Sequence, residues 1–306
     1  MVHTHKETVR LREDSPQMQR KLHPLEGIVA VFALFFVLAL TIGFAQADEA
    51  RPQKTVYLRS ASALVQDAST GEIVIDKNSE AVTPIASITK LMTAMVIIDS
   101  GLDLDTRIVL ERGDIDSKKG SRSRLETGAV LTRGELMLLA LMASENRAAA
   151  ALGRTYPGGM SAFVAAMNAK AAELGMNDTH YDDPTGLSPY NVSSARDLAK
   201  LVRTAHEDYP LIREYSTRER ATVKVRNRQI AFRNTNGLVR NSHWDIGLSK
   251  TGYISEAGRC LVMQVRLASK DLIVVLLDSW GKQSRIGDAQ RIRKYLEKQT
   301  VATRSM

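Results

Sequence analysis

Apolar residues crowd the segment from Ser87 to about Ile98, where Ile88, Leu91, Met92, Met95, Val96 and Ile97 leave few positions for water. A helix buried nearly all round reads this way, and its start falls on Ser87. Three-to-four-residue apolar spacing continues through residues 133–154, 160–174 and 195–205, with loops rich in Gly, Pro, Asp and Ser between them. The middle of the chain is therefore predicted helical. Strand-type runs lie on either side of it. Residues 57–66 and 72–76 flank Asp67-Ala-Ser-Thr-Gly71, a stretch suited to the turn of an edge hairpin. Residues 221–225 and 230–233 form a second, small hairpin, and 246–254, 259–268 and 272–277 read as three long strands before an amphipathic helix at 284–298.

A sheet built from both ends of the chain, with helices inserted between, is an α+β arrangement of one sheet-bearing lobe and one helical lobe. A ligand cleft is expected between the lobes. The strands and helix that follow Gly252 use nearly all of the remaining residues, so 48–306 is expected to be a single domain with no separate C-terminal one.

The first 47 residues stand outside that pattern. Lys6, Arg10, Arg12, Arg20 and Lys21 precede an uncharged apolar run from Gly27 to Phe44, and Ala45-Gln46-Ala47 follows at once. Basic flank, apolar stretch and small-residue site together read as a secretory signal peptide cut after Ala47, although the run is long enough to serve as an anchor. Its removal takes away five basic and four acidic side chains and leaves +7 of the chain's formal charge of +8. A basic exported protein is drawn to anionic partners, cell-wall stem peptides or acidic lipid head groups, rather than to nucleic acid. A loose membrane association and a periplasmic location follow as expectations.

With Cys260 as the sole cysteine, no internal disulfide can form, and its apolar surroundings mark it as a small buried hydrophobe. Only His180, His206 and His243 lie beyond the leader, and no zinc-ligand spacing or aromatic-basic interleaving occurs. Metal and nucleic-acid functions drop out.

Chemistry gathers in three places. Ser87-Ile-Thr-Lys90 sets a hydroxyl and an ammonium three residues apart, on one face of a helix, with Ser87 at its positive end. The pattern alone is weak: Ser279-Trp-Gly-Lys282 repeats it, but at the end of a strand beside a glycine, where no helix would hold the lysine over the hydroxyl. Two further elements follow Ser87 in order, Ser144-Glu-Asn146 and Lys250-Thr-Gly252, each the only one of its kind.

This ordered set resembles the penicillin-recognising serine hydrolases. Within them the chain is similar to the low-molecular-mass D-alanyl-D-alanine carboxypeptidase and endopeptidase family, because Asp183-Pro-Thr-Gly-Leu187, Ser193-Ser-Ala-Arg-Asp-Leu-Ala199 and Gly258-Arg259 also match its habits. The run Leu141-Met-Ala-Ser-Glu-Asn-Arg-Ala148 looks most like the short endopeptidase branch, the penicillin-binding protein 7 type. The resemblance implies a β-lactamase/transpeptidase-like fold, a central antiparallel sheet flanked by helices with an inserted helical lobe. It also implies cofactor-free cleavage of D-alanyl bonds in peptidoglycan stem peptides and cross-links, with β-lactam antibiotics as covalent inhibitors.

Carried over by position, the resemblance makes Ser87 the nucleophile and Lys90, its pKa lowered, the proton acceptor. Ser144 and Lys250 would relay a proton to the leaving amine, and Asn146 would orient substrate or hold Lys90. The N–H groups of Ser87 and Tyr253, the latter following Gly252, would receive the oxyanion. Thr251 and Arg285 would bind the terminal carboxylate of the substrate. One departure is Glu145, where family carboxypeptidases often carry glycine. Two rivals remain open: a class A-like β-lactamase, which needs a deacylating carboxylate that the stretch Asp182-Asp-Pro-Thr-Gly186 does not supply in the usual pattern, and a non-catalytic wall-binding protein of the same fold.

Overall fold

A computed structural model of the chain describes residues 56–304. The leader assigned to residues 1–47 lies outside them. At the centre runs a five-stranded antiparallel sheet of β1 (Ser60–Asp67), β2 (Ile73–Lys77), β9 (Asp245–Ile254), β10 (Gly258–Leu267) and β11 (Lys270–Ser279), in the order β2-β1-β11-β10-β9. The first strand thus pairs with the last, Ala63 standing opposite Leu276.

β11 explains why the long strands read as unbroken apolar runs. Ile273, Val275 and Leu277 face the larger core, shared with the helical lobe. Leu272, Val274 and Leu276 face a second core built with the last helix through Ala289, Ile292 and Leu296. A strand covered on both faces loses the alternation that a half-exposed one would show.

The intervening residues supply α1 (Lys90–Asp99), α2 (Arg133–Met142), α3 (Asn146–Arg154), α4 (Gly159–Glu173), α5 (Ala195–Asp208) and α6 (Pro210–Thr217); α7 (Ser284–Arg304) closes the chain. Small two-stranded ladders join β3 (Thr83–Pro84) to β6 (Val192–Ser193), β4 (Arg107–Val109) to β5 (Val130–Thr132), and β7 (Arg220–Val225) to β8 (Arg228–Arg233). Every residue of α1 from Lys90 to Ile97 is buried, as its sequence requires. Thr132 caps α2 reciprocally with Glu135: its hydroxyl accepts from Glu135 N–H at 3.1 Å, and the Glu135 carboxylate accepts from Thr132 N–H at 2.8 Å. Ser194 caps α5, and Pro210, with no N–H to leave unpaired, opens α6.

The structure corrects the sequence reading in three places. The helix expected across residues 133–154 is two, because Ser144 takes φ +58°, a left-handed conformation that no α-helix interior accommodates. Ser87 lies one turn ahead of α1, in a 3₁₀ turn over Ala86–Thr89, since Ala86 at φ +48° stops the helix from extending backward. α6 was not expected at all: it is eight residues long with only Ile212 and Ser216 buried, too short to show a period.

Candidate active site

The turn that carries Ser87 is pinned between two glycines. A Cβ on Gly252 of β9 would lie 3.1 Å from Ser87 N and 2.9 Å from Ile85 O. On the other side, a Cβ on Gly186 would fall 2.0 Å from Ala86 O. Side chains at either position would push the Ser87 turn away, so both motifs need glycine for close backbone approach.

Lys90 is wholly buried, and its ammonium has three acceptors for three protons: Ser87 Oγ at 2.8 Å, Asn146 Oδ1 at 2.7 Å and Thr185 O. Burial drives its pKa down to about 7 against the opposing pull of Asp183, Glu145 and Asp116. Burial therefore makes the neutral amine accessible near neutral pH, with its nitrogen 2.8 Å from the Ser87 hydroxyl oxygen.

Lys250 forms a second buried cation. Its Nζ donates to Ser144 Oγ and to Thr251 O, both at 2.9 Å. Burial first, then the positive charges of Lys90 and Arg285, push its pKa well below the ordinary lysine value. Asn146 bridges outward, its Nδ2 donating to Ser121 Oγ at 2.9 Å. Thr251 Oγ1 donates to Thr235 Oγ1 at 2.7 Å. Neither Ser121 nor Thr235 was singled out from the sequence, since nothing in their spacing ties them to a motif.

Glu145 has a definite place. Its carboxylate is buried at the N-terminus of α3, where it accepts from Arg147 N–H at 3.4 Å, and its charge helps hold Lys90 protonated. Behind the site, burial pushes the Asp183 carboxyl up, but N–H and hydroxyl donors outweigh it and hold the group below the usual range. Those donors are Thr185 N–H (2.6 Å), Thr185 Oγ1 (2.7 Å), Gly186 N–H (2.7 Å) and Ser188 N–H (2.8 Å).

Arg285, in the first turn of α7, donates through Nη1 to Gly252 O at 2.9 Å and Cys260 O at 3.3 Å, while its buried Nε has no partner. Tyr253 is 56% exposed, its ring beneath the Arg259 guanidinium at 4.5 Å. Across the groove from this hairpin, Lys119 pairs with Glu256. Cys260 is buried, and burial raises its thiol to about 11. The decoy Ser279 ends β11 with its hydroxyl buried and unpartnered.

The fold is shared with solved structures. A Streptomyces DD-transpeptidase superposes with a TM-score of 0.72 at 27% identity, over 78% of this chain and 97% of that one. A Mycobacterium tuberculosis D-alanyl-D-alanine carboxypeptidase does so with 0.71 at 25%, over 78% and 91%. An antiparallel sheet with an inserted helical lobe, and a buried lysine on a serine hydroxyl where they meet, define the class as serine hydrolases of the β-lactamase/transpeptidase-like fold. At sequence level, a D-alanyl-D-alanine endopeptidase of Pseudomonas aeruginosa is 49% identical over 242 residues, 78% of each chain. One of Escherichia coli is 42% identical over 274 residues, 88% of each. The sequence model of the D-alanyl-D-alanine carboxypeptidase family, a family of serine peptidases, matches residues 47–281, and the chain belongs to that family.

Proposed function

We propose that this enzyme cleaves D-alanyl bonds in peptidoglycan, the cross-links first among them, through an acyl-enzyme on Ser87. The observation that carries the reading is the fully buried Lys90 amine, 2.8 Å from Ser87 Oγ with its pKa near neutrality. Neutral Lys90 takes the hydroxyl proton as Oγ attacks the D-alanyl carbonyl. The N–H groups of Ser87 and Tyr253 receive the oxyanion, brought within reach of each other by the close approach of Gly252 to the nucleophile turn. As the C–N bond breaks, the amine leaves with a proton delivered through Ser144, whose hydroxyl is charged from Lys250. Water then hydrolyses the ester, and the proton it loses restores the starting state.

Asn146 keeps the Lys90 amine aimed, being itself held by Ser121. Thr251 and the free face of Arg285 take a terminal carboxylate where the substrate has one. The preference for cross-links rests on the relatives named D-alanyl-D-alanine endopeptidase, which are the more similar in sequence.

The same chemistry makes β-lactams covalent inhibitors. A lactamase-like rapid deacylation is disfavoured because the stretch Asp182-Asp-Pro-Thr-Gly186 lacks the usual pattern of the deacylating carboxylate, and the partly buried Asp183 is engaged instead by Thr185, Gly186 and Ser188 of its own loop. Incubation with a fluorescent penicillin is expected to leave a covalent band on a denaturing gel that Ser87→Ala abolishes. A band of equal strength in the variant would remove Ser87 as nucleophile.

The leader reading places the enzyme in the periplasm, exported through residues 1–47 and loosely associated with the membrane. It is supported by the basic-apolar-small pattern of those residues. Mass spectrometry of the exported protein should find an N-terminus at Asp48; an intact Met1 would mean a retained anchor.

A further inference from the structure

The β7–β8 hairpin carries Arg220, Lys224, Arg226, Arg228 and Arg233 and no acidic residue. Five cations in fourteen positions with no acid among them make it a locally dense run of charge in a chain whose 42 Lys and Arg are otherwise largely balanced by 34 Asp and Glu. Its apolar side is fixed by buried Val223, Val225 and Phe232, so Arg220, Lys224 and Arg233 are turned outward together on the opposite face, while Arg226 and Arg228 are exposed at the turn end. In the ladder Arg220 stands directly opposite Arg233. Like charges in register weaken a strand pair.

Nothing nearby relieves them. Among the described residues, Arg226 alone of the five reaches a carboxylate, Glu126 at 4.0 Å. Lys224 and Arg226 share with Arg107 the lining of a cavity of about 490 Å³. The one acid in that lining, Glu135, is occupied in capping α2. A local arrangement that costs stability and leaves its charges unpaired indicates an anionic ligand.

The hairpin is also continuous with the catalytic groove. β8 runs directly into Thr235, whose hydroxyl meets that of Thr251. From the other wall, Arg124 stacks on Phe232 at 4.0 Å and donates to Ala231 O, tying the hairpin to the loop whose Ser121 holds Asn146.

We propose that this hairpin is an exosite for the polymer itself: carboxylates of neighbouring stem peptides bind Arg220, Lys224 and Arg233, which share one face of the ladder, while one peptide occupies the groove. The proposal rests on the peptidoglycan reading above and adds to it how the enzyme engages an insoluble, repeating substrate. A second contact on the same chain raises the effective concentration of the scissile peptide without touching the chemistry. Anionic lipid is the less suitable occupant, because none of the exposed large apolar side chains lies on the hairpin and insertion into a bilayer surface needs them.

The test compares the parent with the triple variant Arg220→Gln, Lys224→Gln, Arg233→Gln. Cosedimentation with insoluble peptidoglycan and release of fragments from it should both fall at least tenfold. Labelling by fluorescent penicillin and cleavage of a soluble cross-linked dimer should stay within twofold. Thermal stability should not fall, since a repulsive pair has been relieved. Lys224→Glu, outside the opposed pair but on the same face, should act in the same direction and guards against a folding artefact.

Parental digestion of the polymer by the variants overturns the exosite. So does a variant that keeps the polymer yet loses vesicles of anionic phospholipid, which would make the hairpin a membrane contact. A parent enzyme that takes no penicillin label would instead overturn the catalytic reading, leaving the two failures distinguishable.

Discussion

Lys90→Met is expected to slow acylation by penicillin and by D-alanyl peptide roughly 10²–10⁴-fold, the range over which a positioned general base acts. Methionine fills a similar volume in the buried site but has no lone pair to take the Ser87 proton. The parent supplies an internal check. Because only the neutral amine accepts a proton, its acylation rate should rise with pH, approaching a tenfold gain per unit below about 7 and levelling above it. The sign follows from burial: a lysine left at its ordinary value would still be almost wholly protonated at pH 8. Stopped-flow acylation across pH 5.5–9 would read both effects. A variant within tenfold of the parent, or one that keeps the step near pH 7, would show that another group is the base.

The second large effect belongs to a residue that touches no substrate. In Gly186→Ala the new Cβ would lie 2.0 Å from Ala86 O and 2.3 Å from Ala86 C, on a backbone at φ +75°. Both obstacles are main chain, so no side-chain rotation relieves them; the nucleophile turn or the 183–188 loop must move. Left-handed strain and overlap together should cost about 3 kcal/mol, at the upper end for single substitutions. That lowers the melting temperature by roughly 6–12 °C for a domain of this size. A displaced Ser87 should also lose on the order of 100-fold in acylation rate. Melting within 2 °C of the parent, with unchanged labelling, would show that the loop yields without disturbing the turn.

What the sequence made legible and what it hid divide along the range of the interactions. Ser87 and Lys90 could be joined on paper because three residues along one helical segment bring side chains together whatever surrounds them, and the hydrogen bond is there. The runs of β10 and β11 could be read as long strands, while their burial on both faces emerged only with the two cores that the fold sets against them. The pairing of Lys250 with Ser144, 106 residues apart, was reached only through resemblance, since no local rule connects β9 to the α2–α3 break. That break was itself invisible: apolar spacing runs straight through residues 133–154, and the left-handed turn at Ser144 is imposed by the packing around it. Ser121 and Thr235 escaped for the same reason, being ordinary hydroxyl residues made important by the residues the fold sets against them.

The pairing of the first strand with the last has a bearing on how such a molecule comes into being. β1 lies between β2 and β11, and Asp288 of α7 holds the start of β1 by accepting from Arg59 N–H, Ser60 N–H and Ser60 Oγ. More than two hundred residues must be made before these partners meet, so the ribosome releases almost the entire polypeptide before its central sheet can zip shut. A topology of this kind delays its own completion until synthesis is nearly over.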